Sequence, residues 1–258
     1  SLEKTIGRPI CSYEELEGAL KERIAFFSSL GCRASDHAFT RVPYCRAAKD
    51  ELQKIFAKAI KGEALSECEC DKYRTELFRT LAKEYSRLGW GCEIHIGATR
   101  NNNKKMFELL GADSGFDSID DRENAGALSL LLDSLNSEDC LPKTILFALN
   151  PTANYVLGSM LGNFQSGEAA SKIQLGSAWW FNDNIDGMRE QLKTFANLGV
   201  LGCFVGMVTD SRSFLSYPRH EYFRRILCHI IGSWVNDGLY PFDEKALRKI
   251  IGGICFEN

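Results

Sequence analysis

A histidine, an arginine and three asparagines lie close together in the segment CEIHIGATRNNN, residues 92–103. His95 falls within the apolar run, and Arg100, Asn101 and Asn102 come directly after it. A lone histidine in a strand usually packs in a core, but an apolar core has no partners for the guanidinium and amides that follow. The grouping therefore favours a site, in which His95 is a metal ligand or acid–base group and the other residues bind a ligand.

A second polar group follows the apolar run GCFVGMVT. Asp210 can be a metal ligand or general base at the end of a strand, or it can cap the next helix. Arg212 is costly to bury without an anionic partner, which a carboxylate or phosphate ligand would supply in bidentate geometry. His95 and Asp210 thus form a candidate metal-binding pair. Arg212 and Arg100 are candidates for binding the anionic group of an acidic ligand.

Aromatic and amide side chains suited to a sugar occur in GSAWWFNDN. Trp179 and Trp180 are expected to divide between core packing and a pocket wall on which a sugar ring stacks. Asn182 can bond hydroxyl groups or can shape its own loop. Arg219, in SYPRHEYFRR, is interpreted as a further residue of the same ligand-binding site. Because the sequence has no glycine-rich phosphate loop, this set describes a sugar acid better than a nucleotide.

Asp36 and His37 resemble a base with its orienting carboxylate. Adjacent residues of a strand point to opposite faces, so the two can act together only where the strand has ended. A capping role for Asp36 is an equal alternative, and His37 is interpreted as a candidate substrate-binding residue.

These residues follow elements that repeat along the chain. A helix, a Leu-Gly stop, a strand and polar residues occur in this order three times, with stops at Gly31, Gly89 and Gly199. Ser12 and Glu15 form a capping box at the start of the first copy. Two more strands fit KTILFALN and KIQLG. Alternating helices and strands predict a parallel sheet built of βαβ units.

Two architectures fit such a sheet. A doubly wound sheet binds its ligand at one switch point, whereas every strand of a (β/α)8 barrel ends at a common mouth. All five predicted strands end in polar or aromatic clusters, which favours the barrel. Five strands are fewer than eight, and residues 104–140 are predicted to add a helix but no strand. The sequence shows no linker, so residues 1–258 are expected to form a single domain.

Composition limits the class of protein. The 258 residues carry a formal net charge of −3, which gives no basic face for nucleic acid. The sequence contains no apolar run of the roughly 18 residues that a membrane span needs. Its ten cysteines are scattered without metal-binding or redox spacing, which favours a reducing, cytoplasmic setting.

Six segments, in order, resemble the uronate isomerase (glucuronate isomerase) family of the amidohydrolase superfamily: SDHAF, GCEIHIGATRNNN, GFDSIDD, LNPTANY, GSAWWFNDN and GMVTDSRSFLSYPRHEYFRR. The resemblance extends from about residue 12 to residue 258. It implies a metal-dependent (β/α)8 TIM barrel, of which this chain matches the C-terminal portion, about units four to eight. It also implies an aldose–ketose isomerase that converts D-glucuronate to D-fructuronate and D-galacturonate to D-tagaturonate.

The resemblance also implies roles for individual residues. Asp210 occupies the place of the metal-binding aspartate of strand eight and is a candidate to move protons. His95 corresponds to the histidine position of strand five, and Arg212 to a residue that contacts substrate. The implied cofactor is a divalent metal, zinc, and the implied ligand is a hexuronate.

The chain departs from the family pattern in one respect. The superfamily's first strand carries a His-x-His metal-binding pair, and the four histidines here include no such pair. We expect the chain to form homo-oligomers or to pair with a chain that supplies the missing strands. One alternative is a non-catalytic barrel fragment or subunit. Another is a related metal-dependent hydrolase, against which the segments TRNNN and AWWFNDN speak.

Overall fold

The computed structural model describes residues 1–211 and 213–258. The chain divides into two compact units, which are described separately below. The first comprises Ser1–His37, Arg41–Glu93 and Glu123–Thr144, and the second comprises Ala38–Thr40, Ile94–Arg122 and Ile145–Asn258. The expectation of a single domain over residues 1–258 stays a prediction.

Ten α-helices occur in the described residues. They are α1 (Leu2–Ile6), α2 (Tyr13–Ser29), α3 (Lys49–Ile60), α4 (Glu67–Leu88), α5 (Lys104–Leu110), α6 (Ala125–Asn136), α7 (Ala153–Met160), α8 (Ile185–Leu198), α9 (Arg219–Asn236) and α10 (Glu244–Gly252). Six strands accompany them: β1 (Ala34–Phe39), β2 (Gly91–Ile96), β3 (Ala98–Thr99), β4 (Ser118–Ile119), β5 (Lys143–Ala148) and β6 (Ile173–Leu175).

Four strands form a parallel sheet in the order β1-β2-β5-β6. Each strand lies beside the next one along the chain that belongs to this sheet, and helices connect each pair. A doubly wound sheet would show a reversal of strand order, and these four strands show none. The mixed α/β architecture and the parallel sheet predicted from the sequence are therefore confirmed.

A short antiparallel pair follows β2. Ala98 of β3 pairs with Ile119 of β4. The prediction that residues 104–140 add no strand was wrong in this detail, whereas the helix predicted there is present as α6. Two residues are too few to give a periodic signal. Gly97, between β2 and β3, has a φ of +95°, and its carbonyl accepts a hydrogen bond of 2.8 Å from the Asp120 backbone N–H, next to β4.

The fifth predicted strand, GCFVGMVT, does not form in the structure. Leu201–Cys203 is a turn of 3-10 helix, and residues 204–210 are irregular. The Gln174 side chain accepts a hydrogen bond from Val205 N (2.9 Å) and donates one to Cys203 O (3.3 Å). A side chain of β6 thus takes up backbone groups that a strand ladder would otherwise have used.

The predicted helix signals are largely confirmed. Ser12 and Glu15 form the expected capping box, and α4 begins with a second one. Gly31 and Gly89 follow their helices with positive φ, as glycine permits. Gly199 follows α8 in an extended conformation, and it is needed for space because a Cβ there would lie 2.4 Å from the Phe195 ring.

Each unit has its own core. In the first, Tyr13, Leu52 and Phe56 form a buried cluster between helices. In the second, Phe195 and Phe204 are fully buried and their ring centroids lie 5.2 Å apart. None of the described helices has both the length and the apolar character that crossing a membrane would require.

Candidate functional site

His95 lies on the face of β2 that does not pack into the core. Cys92, Ile94 and Ile96 are buried, while Glu93 and His95 alternate with them and are half-buried. The imidazole stacks on the Phe147 ring, with centroids 4.3 Å apart and an interplanar angle of 8°. It also meets the Trp179 ring edge to face at 4.7 Å. Two aromatic side chains therefore fix the orientation of the imidazole.

Phe147 was missed by the sequence analysis. It lies near the end of β5 and is 2% exposed. Gly176 follows β6, and a Cβ at this position would lie 2.3 Å from the Phe147 ring. The glycine thus leaves room for the ring that supports His95. In the sequence, the only indication of this ring position is that a glycine, Gly176, lies at the end of a predicted strand.

Trp179 and Trp180 continue the aromatic cluster outward. Their ring centroids lie 4.7 Å apart, and Trp180 is 38% exposed while Trp179 is half-buried. The Trp179 indole N–H is buried without a hydrogen-bond partner in the described part of the chain. The Arg100 guanidinium lies over Trp180, with Cζ 4.8 Å from the ring centroid. The two tryptophans therefore lie between His95 and Arg100.

Acidic side chains hold the loop that carries Arg100. A guanidinium nitrogen lies 3.5 Å from Asp113 and 3.7 Å from Asp117. Asp117 also accepts a hydrogen bond of 2.8 Å from the backbone N–H of Asn101, which has a φ of +56°. Asn102 donates its side-chain N–H to Thr99 O. The sequence does not predict the role of Asp117, because no local pattern indicates its contacts with Arg100 and Asn101, which lie far from it in the chain.

Asn182 and Arg219 both fix the segment after β6. Asn182 donates from its side chain to Leu149 O at 2.6 Å. Asp183 accepts hydrogen bonds from Arg219 Nε at 2.7 Å and from the Tyr222 hydroxyl at 2.6 Å. These contacts occupy the Asn182 amide N–H and part of the Arg219 guanidinium. The substrate-binding roles expected for Arg100, Asn101, Asn102, Trp179, Trp180, Asn182 and Arg219 stay predictions.

His37 lies on the opposite face of its strand from Asp36, as the alternation of strand residues requires. Its Nε2 is 3.2 Å from the Tyr85 hydroxyl, and its ring meets Phe78 edge to face at 5.1 Å. Burial lowers the pKa of His37, partly opposed by the nearby Asp36 charge. Burial likewise raises the pKa of Tyr85 to about 12. This packing against α4 favours a structural role, and the substrate-binding role of His37 stays a prediction.

The donor groups suited to a metal lie on the neighbouring strands β1 and β2. One ligand atom from each of Asp36, Glu93 and His95 falls within 4.8 Å of the others. An imidazole with two carboxylates fits zinc and related divalent ions. Glu93 was not predicted. Asp210 is exposed with a φ of +42° and is not in this group, and Arg212 lies outside the described residues.

Comparison with known proteins places the chain in a family. The sequence model of the glucuronate isomerase family matches residues 1–258. This chain belongs to the glucuronate isomerase family. The uronate isomerase of Caldicellulosiruptor saccharolyticus is 55% identical over 257 residues, and that of Clostridium acetobutylicum is 54% identical. Both matches cover 100% of this chain and 55% of the relative.

Solved structures of the glucuronate isomerase family agree with the fold. Uronate isomerase from Thermotoga maritima superposes with a TM-score of 0.90 at 29% identity, covering 99% of this chain and 55% of that one. Glucuronate isomerase from Caulobacter crescentus gives 0.87 at 25% identity, covering 99% and 52%. The chain thus spans about half the length of the relatives it matches.

Proposed function

We propose that this glucuronate isomerase family chain serves the aldose–ketose isomerisation of D-glucuronate to D-fructuronate and of D-galacturonate to D-tagaturonate. The observation that carries the proposal is the family match over all 258 residues. The arrangement of His95, Trp180 and Arg100 supports it, because it combines an imidazole, an exposed aromatic face and a cation. These groups suit an acidic sugar.

The reaction moves one hydrogen between neighbouring carbons of the open-chain sugar. A base removes the proton from C2, and the C1 carbonyl oxygen takes up the developing negative charge. An acid then delivers a proton to C1, while the C2 hydroxyl proton is lost and the C1 oxygen is protonated, which leaves the carbonyl at C2. His95 is proposed as an acid–base group or a metal ligand, and its orientation is set by Phe147 and Trp179. Asp210 is proposed as a second proton-transfer group.

The substrate's own carboxylate needs a separate partner. Arg100 is the described candidate, lying on Trp180 and 38% exposed in its side chain. Asp113 and Asp117 already neighbour its guanidinium, so a uronate carboxylate would compete with them for its N–H groups. Arg212 is the other candidate proposed from the sequence. The open face of Trp180 is proposed to contact the C–H groups of the sugar.

A divalent metal, zinc, is proposed as the cofactor. His95 would hold it, with Asp36 and Glu93 as the described neighbouring donors and Asp210 as the donor proposed from the sequence. When bound, such an ion polarises a carbonyl oxygen and stabilises negative charge that develops on it. The residues fit this role by donor type, since borderline divalent ions accept both imidazole nitrogen and carboxylate oxygen.

The sheet is proposed to be part of a (β/α)8 barrel, as about units four to eight. Two observations support this proposal: the unreversed strand order and the TM-score of 0.90 to a family structure. The remaining strands would then come from polypeptide other than residues 1–258, in the same protein or in a partner chain.

An activity assay tests the proposed function. The chain would be assayed alone and mixed with a polypeptide that spans the unmatched part of a relative, using D-glucuronate and following the ketose by NMR. We expect D-fructuronate to form with the mixture and His95→Gln to lose most of the activity, while His229→Gln, an exposed position on α9, keeps it. The absence of conversion in a mixture that forms a stable complex would contradict the proposal.

Solvent deuterium separates the two routes of hydrogen movement. Proton transfer through an exchangeable base predicts deuterium at C1 of the product in D2O, whereas a direct hydride shift predicts none. Metal content measured on the same samples shows whether zinc accompanies activity.

A further inference from the structure

Two cysteine thiols of the first unit, neither among the site residues named above, approach each other. The Sγ atoms of Cys45 and Cys68 lie 3.9 Å apart. Cys45 precedes α3 and is half-buried, and Cys68 lies in the first turn of α4 and is exposed. Both thiols are free. A disulfide requires the sulfurs to come to about 2.0 Å, which a rotation of the two side chains can supply where the backbones are already adjacent.

Polar contacts on both sides of Cys45 hold its segment, residues 41–48, along α4. The Arg41 guanidinium lies 2.6 Å from Asp71, and the Cys45 backbone N–H donates to Thr75 Oγ1 at 2.9 Å. The Arg46 guanidinium lies 2.6 Å from Glu76. These three contacts recur along the helix, so the approach of the two sulfurs belongs to an ordered packing of segment 41–48.

We propose that Cys45 and Cys68 are the site of a reversible intramolecular disulfide, formed by exchange with a low-molecular-weight disulfide. This is separate from the proposed isomerase function. In the first step, the Cys68 thiolate attacks one sulfur of the small disulfide, giving a mixed disulfide and releasing one small thiolate. In the second, the Cys45 thiolate attacks Cys68 Sγ and releases the other small thiolate. The two cysteines lose two electrons and two protons, and the small disulfide is reduced to two thiols.

The surroundings assign the order of the two steps. Cys68 is the exposed partner and is therefore the one that a dissolved oxidant reaches. Burial and the neighbouring Cys68 raise the pKa of the Cys45 thiol, while the Lys72 ammonium partly opposes this. Its Sγ lies 3.9 Å from Cys68 Sγ, and this proximity rather than its acidity makes Cys45 the thiol that resolves a mixed disulfide formed at its neighbour. Cys70 is two residues further along α4 and faces a different direction.

Peptide mapping of the oxidised chain tests the site directly. Trypsin releases Cys45 in residues 42–46 and Cys68 together with Cys70 in residues 62–72. After incubation with oxidised glutathione, we expect the two peptides to be linked in the wild-type chain and, identically, in Cys70→Ser. Because the Cys70→Ser peptide holds one cysteine, the link must then be to Cys68. Reduced glutathione in excess should separate the peptides again.

Thermal unfolding gives a second readout. The disulfide would close the loop that contains α3, so oxidation is expected to raise the unfolding midpoint by about 5 °C in the wild-type chain and in Cys70→Ser. Cys68→Ser should show no rise, and Cys228→Ser, an exposed control in the second unit, should behave as wild type. The proposal is overturned if Cys68 carries only glutathione, or if Cys45 links to another cysteine. Fragment-ion sequencing of the wild-type peptides distinguishes Cys68 from Cys70, so both outcomes are read whether or not a variant folds.

Discussion

The environment of His95 is made by residues far from it in the chain. Its place on the face of β2 opposite Cys92, Ile94 and Ile96 follows from the alternation of side chains along a strand. Phe147 and Trp179, which fix its ring, lie 52 and 84 residues further along (147 − 95 and 179 − 95). No local period reports such contacts. The sequence therefore indicates which face of β2 carries His95, but it does not indicate the ring contacts that orient the imidazole.

Gly176 is expected to control the position of Phe147. In Gly176→Ala the new Cβ would overlap the Phe147 ring, and we expect a cost of about 1–3 kcal/mol in the free energy of unfolding. Gly232→Ala is the matched control, since Gly232 is exposed in α9 with no atom near its added Cβ. It should gain about 0.5–1 kcal/mol. Urea unfolding measures both, and equal stabilities would show that the ring moves aside freely.

His37 is expected to make the folded state sensitive to mild acid. Its pKa is lowered in the folded state from an ordinary value near 6.5, so the unfolded chain binds the proton first. The contribution of His37 to stability is therefore present above pH 6.5 and is lost as the pH falls through its folded pKa. In His37→Gln, the loss of unfolding free energy between about pH 7 and pH 5 should be smaller than in wild type. Denaturant titrations at the two pH values measure it, and an unchanged loss would contradict the assignment.

At the scale of elements, the sequence predicts the helices and strands that have a clear local pattern of apolar and stop residues. It mispredicts a segment whose conformation depends on a single side-chain contact. The helix stops at Gly31 and Gly89 and the four strands of the sheet follow from local patterns. The run GCFVGMVT has strand composition but is not a strand, because the Gln174 side chain bonds its backbone instead. Gly206 within this run has a φ of +79°, a conformation outside the strand region.

Gln174 is expected to hold the segment after α8. In Gln174→Met, Cys203 O and Val205 N both lose their buried partner, and we expect destabilisation of about 2–4 kcal/mol. Hydrogen exchange of the Val205 amide should accelerate more than that of Leu192 in α8, which serves as an internal reference. Equal acceleration of the two amides would indicate global unfolding rather than a local role.

At the scale of the whole molecule, the strand order and the family match both support the parallel α/β fold predicted from the sequence. The order β1-β2-β5-β6 is the one that the repeated helix–strand pattern predicts, because each connection returns the chain to the adjacent strand. The short β3–β4 pair could not be predicted, since strands of two residues give no periodic signal. The metal-binding pair of His95 and Asp210 stays a prediction, and the carboxylates of Asp36 and Glu93 near His95 were not foreseen as its neighbours.

The stability of the chain in stronger acid is expected to depend on Glu138. This carboxylate lies 2.5 Å from both Arg79, which is 2% exposed, and Lys83. The bonds from Lys83 and Arg79 lower the pKa of Glu138 to about 2. Since its folded pKa is depressed, its contribution is complete above about pH 4.5 and is lost as the pH falls towards 2.

Glu138→Gln tests this dependence. The variant should be less stable than wild type near neutral pH, and the difference should shrink as the pH falls below about 4.5. Glu108→Gln, at an exposed position in α5, is the matched control and should change little at either pH. Acid titration followed by circular dichroism measures the effect, and a difference independent of pH would contradict the ionic origin.

The adjacent Trp179 and Trp180 rings give this protein an intrinsic optical reporter. The ring centroids of Trp179 and Trp180 lie 4.7 Å apart at an interplanar angle of 55°, so we expect their intense far-ultraviolet transitions to couple and give a paired circular-dichroism signal. The Arg100 cation lies 4.8 Å over the Trp180 ring, and we expect it to alter the emission of that indole. A ligand that draws Arg100 away from the ring would therefore change both spectra, so that binding can be followed without a label or a turnover assay.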